Sequence, residues 1–135
     1  MLLPALEIYR SRFKPSAQLD RPYAVAGINV IAADTDAEAK RLATTQQMSF
    51  ADLVSGRRGL SKPPIDDIET YWSPAERTQA NQMLARSVVG SAATVRVELD
   101  AFVAETGVDE LMIVSDVYHH APRLHSIGLI AEAMK

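Results

Sequence analysis

Cysteine is absent from the 135 residues. Disulfides, thiolate nucleophiles and cysteine metal sites are therefore excluded, and a cytoplasmic location is the expectation. No run of about 18 apolar residues occurs, and the apolar opening MLLPALEIYR lacks a basic flank and a long hydrophobic core, so neither a membrane span nor a signal peptide is expected. Basic residues are scattered and the net charge is −3, which leaves no electrostatic footprint for nucleic acid. Repeats and low-complexity tracts are also missing. What remains, 47% apolar and 23% charged residues, is ordinary for one globular domain over residues 1–135 with a modest core.

Local patterns give an alternation of helices and strands. Leu6, Ile8, Tyr9 and Phe13 mark a helix over Leu3 to Phe13, with Pro4 tolerable only in its first turn. Tyr23 to Ala32 is β-rich and free of charge, and reads as a buried strand. Thr35 with Glu38 forms a capping box that opens a helix from about Asp36 to Leu53, with Ala39, Leu42, Ala43, Phe50 and Leu53 expected inside. Residues 55–73, rich in glycine and proline, are expected to form a mobile loop. Arg57 and Arg58 within it would be either a solvated basic turn or a clamp for a phosphate or carboxylate.

Ser73-Pro74-Ala75-Glu76 supplies a second capping box with proline at the first helical position, so a helix runs from Pro74 to about Arg86. Ser87 to Val89 reads as a very short strand. Ser91 caps a helix whose inner face carries Val95, Leu99, Phe102 and Val103, and Gly107 ends it. Leu111 to Val114 is a continuous apolar run, expected to be a strand covered on both faces. A closing helix follows from Pro122, with Leu124, Ile127, Ala131 and Met134 inward. Strands separated by helices imply a parallel α/β sheet.

Four segments carry a resemblance: ALEIYRSRFKPSAQLDRPY from Ala5, GINVIAADTDAEAKRLA from Gly27, DDIETYWSPAER from Asp66 and VVGSAATVRVELDAFVAETGVDELM from Val88. Together they resemble the C-terminal part of bacterial luciferase-like flavin-dependent monooxygenases, in the alkanal monooxygenase-like group. The resemblance implies the C-terminal portion of a (β/α)8 TIM barrel that uses reduced FMN and oxygen on a small organic substrate. Because such a barrel takes about 250 residues, it would here be incomplete, with two to three parallel strands. Aligned by pattern, Tyr23 to Ala32 is strand six, Val88 and Val89 a vestigial strand seven, and Leu111 to Ser115 strand eight. The loop 55–73 becomes an insertion partly covering the mouth of the site. The pattern enters in mid-helix, from which a longer parent chain is expected.

Barrel active sites lie at the C-terminal ends of the strands, which selects the candidates. Tyr118, His119 and His120 are the catalytic ones, since a histidine near neutral pH transfers protons or hydrogen-bonds an oxygen; the same residues also read as solvated loop groups. Gly90, Ser91 and Ser115 are the cofactor-binding ones, with Gly90-Ser91 either presenting helix amides to a phosphate or merely capping. Asp34 reads as a helix cap or as an acid. His125 reads as a surface or interface residue, and no metal site is expected. In the family most flavin contacts come from the N-terminal half.

Three functions follow. The chain is a fragment of a flavin monooxygenase, silent alone; or it works when joined to a complementing N-terminal half or closed as a homo-oligomer; or it is a non-catalytic half-barrel that binds or scaffolds. Exposed strand edges imply self-association in each case.

Overall fold

The computed structural model describes residues 2–57 and 59–135; Arg58 lies outside them. Helix α1 spans Leu2–Arg12, strand β1 Val25–Ala32, α2 Asp36–Val54, α3 Pro74–Met83, β2 Val88–Gly90, α4 Ala92–Thr106, β3 Glu110–Val114 and α5 His120–Ala133, with a 3-10 turn at Ile68–Thr70. Local chemistry sets most of these limits. Ser73 Oγ accepts from the Glu76 N–H while Glu76 returns a bond to the Ser73 N–H, which completes the capping box of α3. Gly107 stands at φ 58°, a left-handed conformation that costs a residue with a Cβ but not glycine, and it ends α4.

The three strands are parallel in the order β2-β1-β3, so β1 is the centre. Val25 to Asn29 pair with Glu110 to Val114 on one side, and Val30 to Ala32 pair with Val88 to Gly90 on the other. This corrects the strand assignment. A barrel places consecutive strands side by side. The direct β1–β3 pairing therefore makes those two strands consecutive, and β2 is a short addition to the C-terminal end of β1 rather than a strand between them. The three residues of β2 reach only Val30 to Ala32, while β3 pairs with the other five residues of β1. The free edges are then the outer sides of β2 and β3 and, beside β2, the Val25-to-Asn29 part of β1, not those of a six and an eight separated by a seven.

Alternation divides the sheet into two faces. Ala24, Ala26, Ile28, Val30 and Ala32 turn toward α4 and α5 and form the main core with Val88, Val95, Leu99, Phe102, Val108 and Ile130. On the other face Ile31 and Ala33 pack against Ala39, Leu42 and Ala43 of α2 and against Val117. Below them Val25 is 49% exposed, Met112 62% and Val114 51%. The expectation that β3 is covered on both faces fails there, because among the described residues no helix lies over that half of the sheet.

Helix α5 also departs from its expected stripe. Ser126 and Ile130 are buried, whereas Leu124 and Ile127 are exposed, Ile127 at an apolar groove of about 500 Å³ along β3. The helix starts at His120, so Pro122 is its third residue, still within the turn whose N–H groups lack intrahelical partners. Leu53, expected inside, is exposed at the end of α2.

Candidate functional site

Strand polarity brings the ends of β1, β2 and β3 to one side of the sheet, where the loops carry the candidate residues. At the end of β2 sits Gly90. A Cβ there would lie 2.6 Å from Thr94 Cβ and Cγ2 and 2.8 Å from an Asp36 oxygen, so only glycine fits. Ser91 caps α4, its Oγ accepting from the Thr94 N–H. The Ser91 N–H donates to Asp36 Oδ1 at 2.6 Å and the Thr94 hydroxyl donates to the same oxygen at 2.8 Å. These bonds, the Ser91 N–H foremost, hold the Asp36 carboxyl below its ordinary pKa. The start of α4 thus already carries an anion, a carboxylate of the chain itself. A phosphate would meet a like charge at that place, so Gly90 and Ser91 do not fit one while Asp36 stands there.

The end of β1 is tied to α5. Asp34 is not the cap of α2; Thr35 is, accepting from the Glu38 N–H at 3.2 Å. Asp34 Oδ1 lies instead 2.7 Å from His125 Nε2. One residue on, the fully buried Ser126 accepts from the Ala32 N–H at 2.9 Å. The strand β3 ends at Val114, level with Asn29, so this Ser126 hydroxyl takes the place of a further strand partner for β1. Ser115 Oγ is 3.1 Å from Ser126 Oγ, on the helix side of the sheet. A cleft of about 380 Å³ opens here, lined by Ala32, Ala33, Asp34, Glu38, Leu42, Ala121, Pro122 and His125.

Tyr118, His119 and His120 are exposed, the first two on the loop from β3 into α5 and His120 as the first residue of that helix. The rings of Tyr118 and His119 meet edge to face, with centroids 4.9 Å apart. His119 occupies the N-cap of α5 without a side-chain capping bond, and His120 Nδ1 is 3.2 Å from an Arg123 guanidinium nitrogen. The three residues are consecutive across the start of α5 and do not converge on one point. Gly90 and Ser91 stand on the far side of β1 from Ser115. Among the described residues no group of three or more His, Asp or Glu side chains is placed to hold a metal, and no helix is long and apolar enough to cross a membrane.

The segment 55–73 is tied back along α2 through a charge hub that the sequence did not signal. Asp52, buried on α2, accepts from Lys62 Nζ, from Tyr71 Oη at 2.7 Å and from Arg57 Nε at 3.1 Å. Burial pushes its carboxyl up, but the bonds from Lys62, Tyr71 and Arg57 outweigh that and leave its pKa below the ordinary value. Arg57 also donates to Glu76 at 2.7 Å while its side chain stays half exposed, so it is a solvated arginine already paired with two carboxylates of the chain and not a free anion clamp. Thr45 Oγ1 donates to the Lys62 carbonyl and Arg41 pairs with Asp66, extending the attachment along the helix.

Comparison with known proteins bears out the resemblance. No protein-family model matches the chain. It is 44% identical over 129 residues to the luciferase-like monooxygenase of Escherichia coli strain K12, covering 96% of this chain and 38% of that protein. It is 43% identical over 133 residues to the uncharacterised protein YvbT of Bacillus subtilis, covering 98% and 40%. The crystal structure of apo-MsnO8 matches with a TM-score of 0.76 at 28% identity, over 98% of this chain and 41% of that one. The chain therefore spans about two fifths of the length of the proteins it matches, and its open α/β sheet corresponds to part of a longer barrel fold.

Proposed function

We propose that this chain forms part of a flavin-dependent monooxygenase barrel, to which it contributes one wall and part of the rim of the reaction cavity but not the flavin phosphate site. The observation that carries the reading is the 44% identity to a luciferase-like monooxygenase along 96% of the chain, on a fold whose strand ends all open to one side. When bound, reduced FMN supplies the activation of oxygen for transfer to an organic substrate. The residues of this chain supply shape and exclusion of water. Helix α2 and Val117 cover Ile31 and Ala33 at the end of the wall, and Asp36 fixes the starts of α2 and α4 to each other.

Alone, the chain is catalytically silent, since a sheet open at two edges does not enclose a cavity. Its activity requires the remaining part of the barrel, carried as a complementing portion. A second reading is a self-associating scaffold, favoured by the free edge of β3 and the exposed Met112 and Val114 beside it.

Gel filtration with added FMN separates the two. The chain alone is expected to elute free of flavin. A chimera in which the chain replaces the matched 129 residues of the E. coli protein is expected to retain flavin with the spectral shift of a buried ring. A folded chimera that loses flavin, with the chain alone running as a discrete oligomer, would leave the scaffold as the correct reading.

A further inference from the structure

We propose that a second copy of this chain docks edge to edge on the first, with β3 of one copy pairing in parallel with the Val25-to-Asn29 edge of β1 in the next. It rests on the reading that the sheet is an open part of a barrel, and it adds the partner and the seam.

The two edges are mates. Strands β1 and β3 run parallel side by side, and each keeps its outer side free over five residues, Val25 to Asn29 in β1 and Glu110 to Val114 in β3. Only from Val30 onward does β2 cover the outer side of β1. A free edge presents backbone N–H and C=O groups without ladder partners, and each edge here offers the other a parallel strand of equal length. One edge lies on each side of the pair, so the contact is head to tail and repeats from copy to copy. With two full-length strands from each copy, about four copies would supply the eight strands of a closed barrel.

The surface around the seam is apolar on both faces. On the face turned to α4 and α5, Leu111, Ile113, Ile127 and Met134 line the groove of about 500 Å³ beside β3. Leu2 and Leu6 bring α1 to that same face, while Leu3 and Ile8 of the helix stay exposed. On the opposite face Val25, Met112 and Val114 stand exposed. The amount of surface fits as well. The chain presents 8535 Å² at 14.8 kDa, whereas a monomeric protein of that mass presents about 7,000 Å². The excess of about 1,500 Å² is that of a standard protein interface.

Charge selects the head-to-tail arrangement over a two-fold pairing of β3 with itself. An antiparallel β3 pair centred on Met112 would set Asp109 and Glu110 of one copy beside Ser115 and Asp116 of the other, carboxylate near carboxylate at both ends. In the parallel seam the acidic start of β3 comes level with the start of β1, as it does within one copy, where Glu110 accepts from the Tyr23 hydroxyl and Asp109 from the Ala24 N–H.

The test uses the chain itself. Light scattering is expected to give a mass above that of one chain. Because the chain has no cysteine, Gly27→Cys and Met112→Cys each introduce a single thiol, both on the same open face of the sheet. Mixed and treated with a short bismaleimide, the two variants are expected to cross-link to each other, and neither to cross-link to itself. Met112→Lys puts a charge into the seam at a position exposed in the free chain, and is expected to run as a monomer with the parental circular dichroism. A parent chain that is monomeric at every concentration, a Met112→Cys variant that cross-links alone, or a folded Met112→Lys variant that still associates overturns the seam. None of these readouts involves flavin, so a monomeric chain leaves the flavin reading standing, and a chimera that loses FMN leaves the seam standing.

Discussion

Gly90→Ala perturbs the tightest point of the structure. The added methyl would lie 2.6 Å from both Thr94 Cβ and Cγ2, and 2.8 Å from Asp36 Oδ1, all well inside van der Waals contact. Neither neighbour is the loose end of a long side chain. Thr94 sits in the first turn of α4 and donates to Asp36, while Asp36 sits in the first turn of α2 and also accepts from the Ser91 N–H. Relief of the clash therefore shifts a helix start. Overpacking of this kind costs about 1–3 kcal/mol. With a urea slope of about 1–3 kcal/mol per molar for a small domain, the midpoint falls by about 1 M. Urea titration followed by far-ultraviolet circular dichroism reads the shift directly. The variant should also lose part of the acid sensitivity that comes from Asp36. Its pKa is lowered by folding, so its contribution is present above the unfolded value and fades as pH falls through the folded one. An unchanged midpoint, with the helix content of the parent chain, would refute the packing argument.

Other perturbations follow from the same contacts. Asp52→Ala removes one carboxylate from three donors, and is expected to destabilise by about 2 kcal/mol and to speed tryptic cleavage near Arg57 and Lys62; a digest with the parental rate would contradict the hub. Glu76 is held down to about 2 from 4.5, mainly by the Ser73 N–H and then by Arg57. Its contribution is therefore complete above pH 4.5 and is lost as pH falls toward about 2, so thermal melts of the chain and of Glu76→Gln should converge over that range, and a constant difference would contradict the assignment. Ser126→Ala leaves the buried Ala32 N–H without a partner, a loss of about 1–3 kcal/mol that should accelerate hydrogen exchange of that amide above its neighbours in β1.

Much of the fold is written in short-range chemistry. Thr35, Ser73 and Ser91 cap helices, Gly107 takes its left-handed conformation, and each strand lies within two residues of its expected limits. Capping and turn signals act over three or four residues, so they survive being read one segment at a time. Strand order is different in kind. It depends on which distant segment offers β1 the longer ladder, and nothing in Val88-Val89-Gly90 or Leu111 to Val114 states which will lie beside it.

The site divides in the same way. The location at the strand ends was legible because strand polarity follows from the βα alternation. The partners were not, since Asp36 with Ser91, Asp34 with His125 and Asp52 with Lys62 join residues from different elements. The inner stripe of α5 was misplaced because Leu124 and Ile127 look like core residues in any sequence, yet here both are exposed, and Ile127 borders an apolar groove that no described element covers.

The most direct measurement is the fate of oxygen in the chimera. With reduced FMN, an organic substrate and heavy-isotope oxygen gas, the proposed function requires that one atom of the gas enters the product and the other leaves as water. The prediction is a product carrying the heavy isotope from the chimera and none from the chain alone. A flavin-loaded chimera that reoxidises its flavin without labelling any product would contradict the assignment of this chain to a monooxygenase cavity.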